Sequence, residues 1–208
     1  SDKMKPTSLV LLCTLLVLAI GSVRAQNCGD PNNNQTFAES NVVCIGLMHT
    51  HSYTPWAERS YQLEVSYKMW LESANAKNNG QGMYIVDHYY QFEFFEIEAG
   101  GGTIESPTSD SSARNVAAAQ VAQDLCSGVY GRMDFVIAAY SSGLATIIAR
   151  ECEPYSVPTV TGNASGNNVY RCIADKDGNL NDDPCTYDGQ RRWQWAISVD
   201  AQAQNYFP

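Results

Sequence analysis

Basic residues are scarce in this sequence: 13 lysines and arginines stand against 22 acidic residues in 208, a formal net charge of −9. A surface of that balance repels nucleic acid and anionic lipid, so neither is an expected partner. No Cys-x-x-Cys occurs, which argues against redox motifs and zinc knuckles. No G-x-S-x-G, P-loop, H-E-x-x-H or strand-linked G-x-G-x-x-G occurs either. Gly100, Gly101 and Gly102 do follow a strand pattern, but the chain then runs through Pro107 without opening a helix. Acidic residues such as Glu96 and Glu98 fall on the surface of an expected strand with nothing evident to perturb them. These absences weigh against an enzyme: no catalytic residue and no cofactor are expected.

Long apolar runs are also missing. The longest, Leu9 to Ile20, is too short for a bilayer that needs about 20 apolar residues. It follows Met4 and Lys5 and precedes Val23-Arg24-Ala25, the order of a secretory signal peptide, so residues 1–25 are read as that signal and Gln26 as the mature start. Loss of Asp2, Lys3, Lys5 and Arg24 leaves 10 basic against 21 acidic residues, a net of −11. The expected location is the secretory pathway, then the cell exterior or surface. Cys13 departs with the signal, leaving Cys28, Cys44, Cys126, Cys152, Cys172 and Cys185, an even set suited to disulfides in an oxidising compartment. Spacing alone leaves their connectivity open. Local pairing is the expectation: Cys28 with Cys44, Cys126 with Cys152, and Cys172 with Cys185. Asn34-Gln35-Thr36 and Asn163-Ala164-Ser165 are glycosylation sequons, making Asn34 and Asn163 candidate acceptors.

The mature length fits one domain. Residues 26–41 form a polar lead-in, and beyond them short apolar runs alternate with helical periods, the mark of an α/β fold with a mostly parallel sheet. Val42 to Leu47 reads as a strand buried on both faces, followed by a loop from Met48 to Tyr53. Thr54 stands as helix cap before Pro55, with Leu63, Tyr67, Trp70 and Ala74 as a buried stripe ending near Asn78. Tyr89 to Ile97 reads as a strand. Ser111 to Ser127 reads as a helix with Ala118, Val121, Ala122 and Leu125 inside. Asp134 to Ala139 and Val157 to Thr161 are further strands, separated by a helix with the stripe Leu144, Ile147, Ile148 and Cys152. A polar loop over about 167–192 and a final strand near Trp193 to Val199 complete the pattern. Each strand leads into a loop of small polar residues, and in open α/β sheets ligands bind at that edge.

The run Asp134-Phe135-Val136-Ile137-Ala138-Ala139-Tyr140-Ser141-Ser142-Gly143, then a helix, then Tyr155-Ser156-Val157-Pro158-Thr159-Val160-Thr161-Gly162-Asn163-Ala164-Ser165, resembles the receptor-family ligand-binding region. That family has the type I periplasmic-binding-protein fold and includes leucine-type binding proteins and the ectodomains of metabotropic glutamate and natriuretic-peptide receptors. The resemblance runs from about Val42 to Ser165. It implies a three-layer, doubly wound sheet forming lobe one of a two-lobed clamshell, with residues 42–208 as a partial lobe and the second lobe missing. It also implies a small-molecule ligand, amino-acid-like, held by the loops after the third and fourth strands. Those loops supply Ser141, Ser142, Ala164 and Ser165: Ser142 as donor to an anion, Ala164 and Ser165 facing an ammonium. One of Ser141 and Ser142 also caps the next helix. Tyr53 and Tyr140 are candidates to stack on the ligand. The loop His49-Thr50-His51-Ser52-Tyr53 departs from the glycine-containing loop of bacterial members. The expected setting is a membrane receptor ectodomain, able to dimerise and reaching the membrane only through a downstream segment. A soluble protein feeding a transporter is the alternative, and an exported α/β enzyme fragment is the third reading.

Two further groups suggest metals. His49 and His51, two apart on a strand, share a face, but spacing fixes no third ligand. Asp175-Lys176-Asp177-Gly178-Asn179 is oxygen-rich, yet its glycine comes fourth and a bidentate glutamate is lacking. No metal site is expected from either.

Overall fold

The computed structural model describes residues 28–32, 40–161 and 196–198. The elements are β1 (Val42–His49), α1 (Ala57–Gly80), β2 (Met83–Ile85), β3 (His88–Glu98), α2 (Ser111–Ser127), β4 (Phe135–Ile137), α3 (Ser142–Cys152), a 3-10 turn (Glu153–Tyr155), β5 (Thr159–Thr161) and β6 (Ala196–Ser198). They build one six-stranded sheet in the order β2-β3-β1-β4-β5-β6. All neighbours run parallel except the β2–β3 hairpin.

β1 sits between β3 and β4, and its composition explains why. Val43, Ile45 and Leu47 enter one apolar cluster with Ala74, Tyr67 and Leu71 of α1. Cys44 and Met48 alternate into a second cluster with Ala118, Ala122 and Leu125 of α2 and Leu144, Ala145 and Ile148 of α3. A strand apolar on both faces needs a layer on each side, and here α1 covers one face while α2 and α3 cover the other. The doubly wound, three-layer α/β architecture follows.

α2 begins where Asp110 accepts a hydrogen bond from the Ser112 N–H (2.8 Å) and ends at Gly128, whose φ of 85° closes the helix. α1 departs from expectation at both of its diagnostic positions. Thr54 does not cap it: the Thr54 N–H donates to the Thr108 carbonyl at 2.9 Å, and the helix starts at Ala57 behind Trp56. The cause is the parallel bridge between Tyr53 and Thr108, which commits this backbone to the segment before α2. Trp70 does not lie in the buried stripe. Leu71 packs inward instead, and Trp70, 43% exposed, leans its ring on Phe92 and Phe94 at the seam between helix and sheet. Both positions fit helical spacing from Tyr67, and the slimmer side chain takes the inner one. At the far end the backbone leaves helical geometry at Lys77, and Asn78 and Asn79 take positive φ.

Disulfides join Cys28 to Cys44 and Cys126 to Cys152. The first ties the segment before β1 to the sheet; the second ties the end of α2 to the end of α3. No described helix is long and apolar enough to cross a membrane. The signal segment 1–25, Asn34, Asn163, Ala164, Ser165, Cys172, Cys185 and the 167–192 loop lie outside the described residues.

Candidate functional site

The order of the sheet locates a crevice. From β1 the chain crosses through α1 to β3 on one side, then through α2 to β4 on the other side of β1. The loops leaving β1 and β4 therefore diverge at the carboxyl edge, and a doubly wound sheet opens at that reversal. Tyr53 lies on the first loop, Tyr140 and Ser141 lie on the second, and Ser142 opens α3.

The two tyrosines are joined through side chains that the sequence reading did not single out. Trp56 packs edge-on against Tyr53 and Tyr140, with ring centroids 5.1 and 5.7 Å apart. The Arg114 guanidinium lies 4.7 Å from the Tyr53 ring centroid and 4.3 Å from that of Trp56. It donates to Asn115 Oδ1 from Nε (3.1 Å) and Nη2 (2.6 Å). Arg59 lies over Tyr140 at 5.5 Å and donates from Nη1 to its hydroxyl at 3.3 Å. Arg114 is 8% exposed, buried for a cation. A signal for it existed, since Arg114, Ala118 and Ala122 follow one another by four along the inner face of α2, where an arginine is out of place.

Ser141 occupies the junction of β4 and α3 in an uncommon conformation, φ 128° and ψ 154°. A side-chain-bearing residue there carries strain of about 1–3 kcal/mol, and such strain gathers at ligand clamps. Its Oγ accepts the Leu144 N–H at 3.3 Å, so Ser141 is the cap and Ser142 the first helical residue. The Ser142 carbonyl accepts the Thr146 hydroxyl at 2.9 Å. The start of α3 faces the carboxyl edge with its partial positive charge.

Glu98 shapes the loop after β1. Its Oε1 accepts Ser52 Oγ (2.9 Å) and the Gly100 N–H (2.6 Å), while Oε2 accepts the His51 N–H (3.0 Å). Gly101 follows with φ +83°, and a Cβ there would sit 2.6 Å from the Arg114 nitrogen. The glycine turn thus lets α2 approach closely enough to seat Arg114.

On the α1 side of β1, His49 Nε2 lies 3.3 Å from Glu96 Oε2, and His51 Nε2 lies 3.1 Å from Glu64 Oε2. Lys68 bridges Glu64 and Glu96. Burial, followed by the neighbouring His51, lowers the His49 pKa below the ordinary histidine value against the raising influence of Glu64 and Glu96. Glu96 and Glu98, expected on a strand surface with nothing evident beside them, both make polar contacts.

No protein-family model matches the sequence, and no curated protein matches it. Solved structures do match, and with them the α/β sheet described above is the type I periplasmic-binding-protein fold. One is the branched-chain amino acid transporter substrate-binding protein LivJ of Streptococcus pneumoniae in complex with isoleucine, at TM-score 0.51 and 14% identity, covering 77% of this chain and 34% of that one. Another is an ABC transporter solute-binding protein of Rhodopseudomonas palustris in complex with 3,4-dihydroxybenzoic acid, at TM-score 0.50 and 10% identity, covering 78% and 33%. The chain therefore spans about a third of the length of either protein.

Proposed function

We propose that this chain is part of an exported solute-binding protein and forms one wall of a pocket for a small carboxylate-bearing solute. The observation that carries the reading is the cluster of Arg114 and Arg59 with Tyr53, Trp56 and Tyr140 at the sheet's reversal point, beside the start of α3. Guanidinium groups and helix-start N–H groups attract a carboxylate, and aromatic rings cover an apolar or aromatic body. The ligands of the two structures of like fold, isoleucine and 3,4-dihydroxybenzoic acid, both carry a carboxylate. In this reading Ser142 donates to the carboxylate, and Ala164 and Ser165 approach a ligand ammonium where there is one. Binding rather than catalysis is favoured because both structures are of binding proteins. They also favour the transporter-linked setting over the receptor ectodomain, since each is the substrate- or solute-binding protein of a transporter.

The test is thermal unfolding of the full chain against isoleucine and 3,4-dihydroxybenzoate up to millimolar concentrations. A rise in Tm that grows with concentration is expected for at least one of them. It should shrink in Arg114→Gln and in Ser142→Ala. No shift with either compound, or a shift untouched by both substitutions, overturns the reading.

A further inference from the structure

The polar cluster on the α1 side of β1 has a composition the solute site does not need. We propose that His49, His51 and Glu64 bind a divalent transition-metal ion of the zinc class where the loop after β1 meets α1. The candidate ligand atoms of these residues all lie within 4.8 Å of one another. A tetrahedral centre with bonds of about 2.0–2.1 Å sets its ligand atoms about 3.3 Å apart, close to the 3.1 Å between His51 Nε2 and Glu64 Oε2. Two imidazoles and one carboxylate suit zinc and leave a coordination position open. Glu96 Oε2 hydrogen-bonds His49 Nε2 at 3.3 Å, a contact that coordination through this nitrogen would replace.

A second observation points to an ion. The His51 side chain is 9% exposed, and its Nε2 has no hydrogen-bond partner although Glu64 Oε2 lies 3.1 Å away. A buried ring nitrogen 3.1 Å from a carboxylate oxygen, yet without a hydrogen bond, leaves a polar atom unsatisfied; a cation between the two atoms would engage both. The ring is also held in place. It stacks on Tyr61 at 3.8 Å and on His49 at 4.6 Å, and the His51 backbone N–H is held by Glu98 Oε2 at 3.0 Å.

Lys68 is the internal rival. Its ammonium rests on the other oxygen of Glu64 and reaches Glu96 Oε2 at 3.0 Å, so it supplies positive charge to the same carboxylates. A bound dication would be repelled by it. Removing the lysine charge therefore strengthens the site, an outcome that a purely structural role for the cluster does not give.

The experiment is calorimetric titration of the metal-stripped full chain with zinc, together with the visible spectrum of the cobalt(II)-loaded protein. The expected result is one zinc per chain and a cobalt spectrum of tetrahedral intensity. His51→Ala and the near-isosteric Glu64→Gln each weaken binding by at least about tenfold, and Lys68→Met tightens it. His88→Ala, which removes the remaining histidine at the exposed start of β3, leaves binding unchanged. Circular dichroism checks that each variant is folded. No binding at about a hundredfold molar excess of zinc, or binding that persists in both His51→Ala and Glu64→Gln, overturns the proposal. Loss of binding in His88→Ala does so equally.

Discussion

Asp134 grips Cys44 twice: its backbone N–H donates to the Cys44 carbonyl at 2.8 Å, and its carboxylate Oδ2 accepts the Cys44 N–H at 2.7 Å. The side chain thereby satisfies a backbone donor of β1 just before β4 begins at Phe135. Arg132 Nη2 donates to the same oxygen at 3.2 Å. Cys44 is also the anchor of the disulfide to Cys28, so three segments converge on this residue.

The carboxylate pays a desolvation penalty. Burial raises the Asp134 pKa above its ordinary 3.8, against the lowering influences of the Cys44 N–H and Arg132. An acid whose folded pKa is raised contributes stability below its unfolded pKa and loses it as pH rises through the folded one. The Tm of the parent minus that of Asp134→Asn should therefore fall as pH rises from below 3.8 through the raised value. Thermal melts of both proteins across acid pH measure it. A difference that grows with pH would contradict the sign.

Joint replacement of Cys126 and Cys152 by serine removes a bond that closes a sequence separation of 26 between buried positions. The expected loss is about 2–5 kcal/mol in urea unfolding, with the larger part arising from the freed unfolded chain.

Val86 and Asp87 form the two-residue loop between β2 and β3, with φ of 44° and 67°. Two positive values mark the turn that favours Asn-Gly, and a β-branched residue is poorly suited to the first position. Val86 is 85% exposed, so little packing is lost on replacement. Val86→Asn should raise stability by about 1 kcal/mol, read as an increased Tm.

Gly101→Ala and Gly80→Ala form a matched pair. Both glycines have φ +83°, but a Cβ at Gly80 meets nothing within 4 Å, whereas at Gly101 it meets Ala113 and Arg114 backbone at 2.6 Å. The first substitution should cost more than about 1 kcal/mol beyond the second. It should also reduce any ligand-induced Tm shift, because it displaces the start of α2 and with it Arg114.

Much of the scaffold was legible because it rests on local pattern. The apolar run of β1, the boundaries of α2 and the stripe Leu144, Ile148 and Cys152 of α3 follow from periodicity and capping chemistry. Thr54 and Trp70 misled for tertiary reasons: a bridge to Thr108 claimed one backbone, and Leu71 competed for the buried place of the other. β2 escaped notice because Met83–Ile85 is three residues long and largely exposed, so it carries no alternation to read. In the candidate site, Tyr53 and Tyr140 were visible as aromatic residues at strand ends, but the contacts that unite them run through Trp56 and Arg114. Glu64 was invisible as a companion of His49 and His51, since the register of α1 against β1 decides which carboxylate reaches the loop.

The bond between Cys126 and Cys152 has a geometric meaning at the opposite ends of its helices. Arg114 lies in the first turn of α2 and Ser142 opens α3, while the sulfur bridge clasps the two helices at their last turns. The pair behaves as tongs with tied handles. Their tips, bridged by Trp56 and Tyr140, are held at a set spacing, and if this wall takes the proposed solute, less ordering entropy would be lost on binding.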